Sequence, residues 1–337
     1  MAGGQERVLK RRIRTVQSTK KITRAMELIA ASRIVKAQAR VKGARPYSDQ
    51  ITEVIHHLAQ GGAGVSSPLL KPRDEIKKVA YVVLTADRGL CGAYNSSVIR
   101  QTERSLKAQQ DAGRDYSLIL VGKKADGYFR FRKYRIDATF TGMSDQPSYE
   151  DARNVAKAVL APFEAGEVDQ VQLVFTRFLS AGLQEVEEVT LMPLDPGGLG
   201  IDATHSPDVV ADAAEAAAHD GPSPSYEFEP GADEILTRLL PRYVEARIFA
   251  AQLDAAASEH AARQRAMKAA TDNADDLITS LSRVMNRARQ EQITTEIMEI
   301  VGGAEALRGG GALVNTDLLS DTIEARHEDL FPSRSDG

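Results

Sequence analysis

The sequence predicts an α/β protein with long terminal helices: the two ends of the chain wind into an antiparallel two-helix coiled coil, and a mainly parallel α/β domain lies between them. Three observations predict this. Residues 242–301 contain neither glycine nor proline, and neither do residues 5–42. Between these segments, short β-branched runs alternate with helical patterns. Such alternation is the signature of strands joined by crossover helices.

The C-terminal segment carries the clearest pattern. Phe249, Leu253, Ala256, His260, Arg263, Met267, Ala270, Ala274, Leu277, Leu281, Val284 and Ala288 follow a 4-3 spacing. A repeat of 3.5 keeps one stripe facing a partner along the helix. The stripe continues backward through Ala246, Arg242, Leu239 and Ile235. Sixty helical residues span roughly 90 Å, longer than most globular domains are wide. The N-terminal segment supplies the partner. Leu9, Ile13, Val16, Ile22, Met26, Ile29 and Ile34 fall mostly at helical spacings, with more drift. The polar seam positions Arg242, His260 and Arg263 are expected to face a further partner.

Strands are expected at 77–85, 117–122, 135–141, 168–179 and 185–194, the third being weak. Helices are expected at 93–112, 125–133 and 149–163. Only residues 180–184 separate the last two strands, which therefore read as an antiparallel hairpin. The chain divides into an N-terminal coiled-coil helix (1–60), a Rossmann-like α/β base (75–195), an acidic flexible insertion (196–231), a C-terminal coiled-coil helix (232–307) and an extension (308–337). Glycine and proline cluster at 61–68 and again at 196–231, marking the joints.

Composition excludes several classes. The chain has 337 residues, 42% apolar and 27% charged, with one cysteine. A lone Cys91 permits neither an intrachain disulfide nor a cysteine-based zinc site. No run approaches the roughly 18–20 apolar residues of a membrane span. The N-terminus is charged from Glu6 onward, unlike a signal peptide. The net charge of −4 hides an asymmetry: residues 1–45 carry thirteen Lys or Arg against Glu6 and Glu27. A basic helix suits nucleic acid, anionic lipid or an acidic protein surface. No aromatic residue precedes Tyr47, which disfavours single-stranded nucleic acid.

One loop resembles a small-molecule site. Thr85-Ala86-Asp87-Arg88-Gly89-Leu90-Cys91-Gly92-Ala93-Tyr94-Asn95 follows the first strand, where open α/β sheets bind ligands. Its glycines match neither the dinucleotide fingerprint nor the triphosphate loop, and Lys123 and Lys124 complete neither. Cys91 near a helix start could be a nucleophile, but all six histidines lie outside the α/β domain. The residues leave open a structural or partner-contacting loop, with Asp87 and Arg88 available for charged pairing, and an α/β nucleotide-binding enzyme with a helical oligomerisation stalk.

Three motifs in order narrow this. Lys20–Lys36 (KKITRAMELIAASRIVK), the Asp87–Gly92 loop (DRGLCG) and Asn286–Leu307 (NRARQEQITTEIMEIVGGAEAL) resemble the first-helix, loop and C-terminal signatures of the gamma subunits of F-type ATP synthases. The resemblance covers roughly residues 3–307. It implies a non-catalytic central-stalk rotor within a ring of three alpha and three beta subunits. The base would stand with an epsilon subunit on the c-subunit ring, at the cytoplasmic face of the energy-coupling membrane. It implies no cofactor, no metal and no nucleic acid, and membrane contact only through the complex. By the same resemblance, Asp87, Arg88, Gly89, Leu90 and Cys91 contact a beta subunit, Arg289, Gln290, Thr294 and Glu296 meet the beta subunits' moving loops, and Met26 lies close by. Arg24 stands where the family often has lysine. The acidic stretch and the tail beyond Leu307 are longer than the family pattern.

Overall fold

The computed structural model describes residues 2–60, 67–194 and 231–308. The expected acidic insertion and C-terminal extension lie almost wholly outside them. The elements run α1 (Ala2–Gln60), β1 (Lys78–Leu84), α2 (Tyr94–Asp111), β2 (Asp115–Val121), α3 (Lys123–Phe131), β3 (Ala138–Phe140), α4 (Tyr149–Glu164), β4 (Gln170–Phe178), β5 (Gln184–Met192) and α5 (Ala232–Arg308).

The five strands order as β3-β2-β1-β4-β5. β1 pairs in parallel with β2 and with β4, so Val82 lies between Ile119 and Leu173. β5 returns antiparallel along β4, giving the predicted hairpin. A central parallel strand is covered on both faces, which is why β1 is an unbroken apolar run (KVAYVVL). Its side chains still alternate. Ala80, Val82 and Leu84 enter a core with Val155, Val159 and Phe163 of α4. Val79, Tyr81 and Val83 enter the opposite core with Val98 and Leu106 of α2 and Phe129 of α3. β3 is shorter than expected. Just before it, the Asp137 N–H still donates to the Leu118 carbonyl, but the Leu118 N–H is taken by the Asp137 carboxylate, which also accepts from Ser117 Oγ.

α4 begins in a capping box. Ser148 Oγ accepts from the Asp151 N–H, and the Asp151 carboxylate accepts from the Ser148 N–H. α1 and α5 run farther than their glycine- and proline-free cores: α1 continues through Gly43 and Pro46, and α5 starts before Pro241 and passes Gly302 and Gly303. Gly43, Pro46, Gly302 and Gly303 are all exposed within these helices.

The chain groups into two compact units, one of residues 21–271 and the other of the two chain ends. Within the larger, α1 and α5 are antiparallel. Thr23 and Thr271 share a buried hydroxyl–hydroxyl bond of 2.8 Å at one end. At the other end Ile51, Ile55 and Leu58 pack with Leu236, Leu240 and Tyr243. The α1 seam here is Thr23, Glu27, Ala30, Ile34 and Ala37, again at 4-3 spacing. Ile22 and Ile29, read as seam residues from their hydrophobicity, are exposed instead. Alanine, threonine and Glu27, which pairs with Arg24, fill the seam beside Ile34.

In the smaller unit, residues 2–20 of α1 accompany 272–308 of α5, and Lys20 pairs with Asp275. Ile13 of α1 is buried, as are Ala274 and Leu281 of α5. The α5 stripe keeps the expected Ala274, Leu281 and Ala288, but between them Ile278 and Met285 are partly covered in place of Leu277 (40% exposed) and Val284 (48% exposed). Both settings obey a 3.5 repeat, and hydrophobicity alone could not separate adjacent apolar residues.

Candidate functional site

The loop between β1 and α2 is locked from three sides. Asp87 is the first lock. Its Oδ1 accepts from the Lys123 N–H at 3.1 Å, and its Oδ2 from the Gly142 and Ser144 N–H groups at 2.8 and 3.2 Å. Its own N–H donates to Ser144 Oγ at 2.9 Å. The carboxylate expected to be available for partner pairing is therefore committed within the chain. The next amides of α3 are also taken: Lys124 N–H by the Ala86 carbonyl, and Ala125 N–H by Thr85 Oγ1. The helix start that would hold a phosphate in other sheets has its first three donors satisfied by this loop. Gly122 makes the close approach possible. It has φ +101°, and a Cβ there would lie 2.2 Å from the Thr85 carbonyl oxygen.

Helix α5 supplies the second lock. Arg263 reaches the Gly89 carbonyl through Nε at 3.4 Å and Nη2 at 3.3 Å, and donates to Glu259 Oε1 at 2.6 Å. Arg263 and His260, expected to face a further partner, are buried against this loop. Arg242 does remain exposed. Burial pushes the Glu259 carboxyl up from its ordinary value, with Arg263 opposing, and pushes the His260 imidazole down. The Nη1 of Arg263 lies 3.4 Å from His260 Nδ1, and His260 Nε2 lies 3.4 Å from the Asp145 carbonyl oxygen. A neutral imidazole protonated on Nε2 fits both contacts.

Asp145 is the third. Arg33 of α1 donates to its carboxylate directly. Arg88 stands 3.6 Å from the same carboxylate, and His260 Nε2 stands 3.7 Å from its Oδ1. Part-burial would raise the Asp145 carboxyl, but the Arg33 hydrogen bond and the surrounding positive charge hold it below its ordinary value.

These locks sort the loop residues. Arg88 projects, with its side chain 69% exposed. Leu90 is 62% exposed in a left-handed backbone conformation at φ +63°. A leucine rarely adopts that conformation unless its surroundings impose it. Cys91 points inward and is buried beside Ala86, Tyr94 and Ala262. Asn95 donates to its sulfur at 3.0 Å and accepts from the Ala86 N–H at 2.8 Å. Burial raises its thiol above the ordinary value, so it has no activated-nucleophile character.

The crevice beyond the strand ends is filled. The sheet order reverses between β1 and β4, where open α/β sheets accept ligands. Here α5 occupies that place: Ser258 Oγ donates to the Thr176 carbonyl of β4 at 3.1 Å. The remaining cavity, lined in part by Leu84, Thr85, Val121, Gln252 and Ala256, has a volume of about 10 Å³. That is the space of a single water. Among the described residues no cluster of His, Cys, Asp or Glu could hold a metal ion.

The other expected positions lie elsewhere. Met26 is half-buried on α1, in the same unit as the loop. Arg289, Gln290, Thr294 and Glu296 are exposed on α5 in the smaller unit. Thr294 Oγ1 donates back to the Gln290 carbonyl, and Gln292 donates to Glu296.

The ATP synthase family model matches residues 5–307. The ATP synthase gamma chain of Frankia casuarinae is 49% identical over 311 residues, covering 91% of this chain and 99% of that one. The chain belongs to the ATP synthase gamma family. The gamma chain of Mycolicibacterium smegmatis is 44% identical over 317 residues, covering 90% of this chain and 98% of its own length. Among solved structures, the fold is similar to a chain of the Euglena gracilis mitochondrial ATP synthase OSCP/F1/c-ring assembly, with TM-score 0.60, 19% identity and coverage of 93% and 98%. It is also similar to one in the Tetrahymena thermophila central stalk/c-ring, with TM-score 0.53, 22% identity and coverage of 74% and 99%. Within this gamma-family fold, the motif around Asp87–Gly92 was legible from sequence, but the residues that hold it were not. Asp145, Glu259 and Ser144 belong to no local motif. Only the polar seam residues His260 and Arg263 signalled that α5 has a polar contact.

Proposed function

We propose that this chain is the central rotor shaft of a proton-translocating ATP synthase. It transmits torque between a membrane-embedded c ring and an alpha/beta catalytic head, and it breaks no bond itself. The observation that carries the reading is identity of 44–49% along nearly the full length of gamma-chain relatives, joined to an antiparallel helix pair around an α/β sheet. Three alpha subunits, three beta subunits, an epsilon subunit and the c ring are the partners. Among the described residues no helix is long and apolar enough to cross a membrane. The chain attaches peripherally at the cytoplasmic face, through the complex.

A rotor works by making different contacts with each surrounding subunit, so that each is biased toward a different conformation. Arg88 and Leu90 are the loop side chains placed to touch a beta subunit. Asp87, Gly89 and Cys91 shape the loop behind them. Arg289, Gln290, Thr294 and Glu296 present a polar surface to the beta subunits' moving loops, and Met26 contributes packing. The rival reading, a nucleotide-binding enzyme with a helical stalk, is disfavoured by the filled crevice and the committed amides of α3.

The test is proton pumping per ATP hydrolysed in inverted membrane vesicles carrying wild type, Arg88→Ala or Arg88→Glu. Reversal replaces attraction with repulsion toward an acidic partner, so Arg88→Glu is expected to uncouple more than Arg88→Ala, with assembly intact. Equal coupling in all three would remove Arg88 from the torque-bearing contacts. Failure of the chain to co-purify with alpha and beta subunits would sink the rotor reading.

A further inference from the structure

The stretch 142–145, between β3 and α4, grips the loop after β1 through two carboxylates. Asp87 reaches outward to the Gly142 and Ser144 amides, and Asp145 reaches back toward Arg88. Asp145 also meets Arg33 of α1 and His260 of α5. One carboxylate thus faces cationic or protonatable groups from three elements. Of the other anions in the group, Glu259 is taken by Arg263 and Asp87 by backbone amides. The Arg33 contact is a direct hydrogen bond, whereas the 3.6 Å separation of Arg88 is too long for one. Arg88 is therefore held by charge alone.

We propose that Asp145 is a positioning residue for the Asp87–Cys91 loop, holding Arg88 in place and fixing it against both long helices. Without the Asp145 charge, the guanidinium groups of Arg33 and Arg88 face each other uncompensated, and Arg88 is driven outward. The loop then loosens from its tip. Cys91, three residues on, is covered by this loop and by Ala262 of α5. Its thiol, the single one in the chain, reports that loosening without any engineered probe.

The experiment labels Cys91 of the full chain with a neutral maleimide under native conditions. Two pH values separate thiol ionisation from access. The variants are wild type, Asp145→Asn, Asp145→Glu, Arg88→Ala and Arg88→Ala/Asp145→Asn. Asp145→Asn keeps the side-chain shape and is expected to raise the labelling rate roughly 1.5- to fivefold, the range commanded by one part-exposed ion pair. Asp145→Glu restores a rate near wild type, and the double variant labels no faster than the faster single one. Wild-type labelling in Asp145→Asn would overturn the proposal. So would multiplied rates in the double variant, which would mean that Asp145 acts on the general fold and not through Arg88. If Asp145→Asn does not fold, near-wild-type labelling in Arg88→Ala overturns it instead.

A second arm rests on the rotor reading and measures coupling in assembled enzyme. Asp145→Asn is expected to lower protons pumped per ATP as Arg88→Ala does, with no further loss in the double variant. Full coupling in both single variants, alongside faster labelling, would leave the positioning role standing and remove Arg88 as a rotor contact.

Discussion

Replacing Arg263 with alanine should destabilise the larger unit more than any surface change in it. The Arg263 side chain is 10% exposed and that of Glu259 only 1%. Truncation leaves Glu259 buried without its cation and removes the donors to the Gly89 carbonyl. Removing one partner of a buried pair costs about 3–5 kcal/mol. At about 2–4 °C per kcal/mol for a unit of this size, the expected fall in Tm is roughly 6–20 °C. Protonation limits the damage. Burial already raises the Glu259 carboxyl, and losing Arg263 raises it further. A carboxyl whose folded pKa exceeds its unfolded value contributes most stability below the unfolded value, and that contribution is lost as pH rises through the folded one. The penalty, taken as the difference from wild type at the same pH, should therefore be larger at pH 8 than at pH 5.5. Glu259→Gln strands the Arg263 guanidinium in its turn, with only the Gly89 carbonyl and a neutral amide as acceptors, and should cost a comparable amount, about 3–5 kcal/mol. Scanning calorimetry of the full chain at both pH values is the assay. A fall below 2 °C at pH 8, or a larger penalty at pH 5.5, would refute the reasoning.

Two further outcomes follow from the same structure. Leu281→Ala should cost about 2 kcal/mol or more while Leu277→Ala costs under about 1, because only Leu281 lies in the seam; hydrogen exchange along residues 272–308 reads the difference. His260 is held below its ordinary pKa by burial, with Asp145 opposing and Arg263 and Arg33 reinforcing. Its contribution is present above the ordinary imidazole range and is lost as pH falls toward the folded value, at up to about 1.4 kcal/mol per pH unit. His260→Gln should flatten the dependence of Tm on pH between about 7 and 5.5, and an unchanged slope would count against a neutral buried His260.

The sheet was legible in the sequence because each strand carried its own apolar run, bounded by turn residues. The helix pair was legible from what it lacked, glycine and proline over long spans. The α1 seam was misread at Ile22 and Ile29, because each adjoins a smaller seam residue, Thr23 or Ala30, that hydrophobicity ranks below it. Thr23, Glu27 and Ala30 fill that seam instead, with the Thr23–Thr271 hydroxyl bond bridging 248 positions of sequence. The same separation hid the loop's supports. Asp145 lies 57 residues after Arg88 and 115 before His260, and no local spacing rule joins them. Arg88 and Leu90 were picked out by resemblance, but only the three-dimensional arrangement separates them from Asp87 and Cys91, which face inward.

The seating of α5 over the strand ends makes helix docking and ligand entry mutually exclusive. A small molecule could enter only a form in which α5 has lifted away from Thr176 and the Cys91 loop. Its apparent affinity would fall by the fraction of chains in that form. Each 1.4 kcal/mol that holds the helix down weakens such binding about tenfold. The place where an open α/β sheet would hold a ligand is thus filled by the chain's own C-terminal helix.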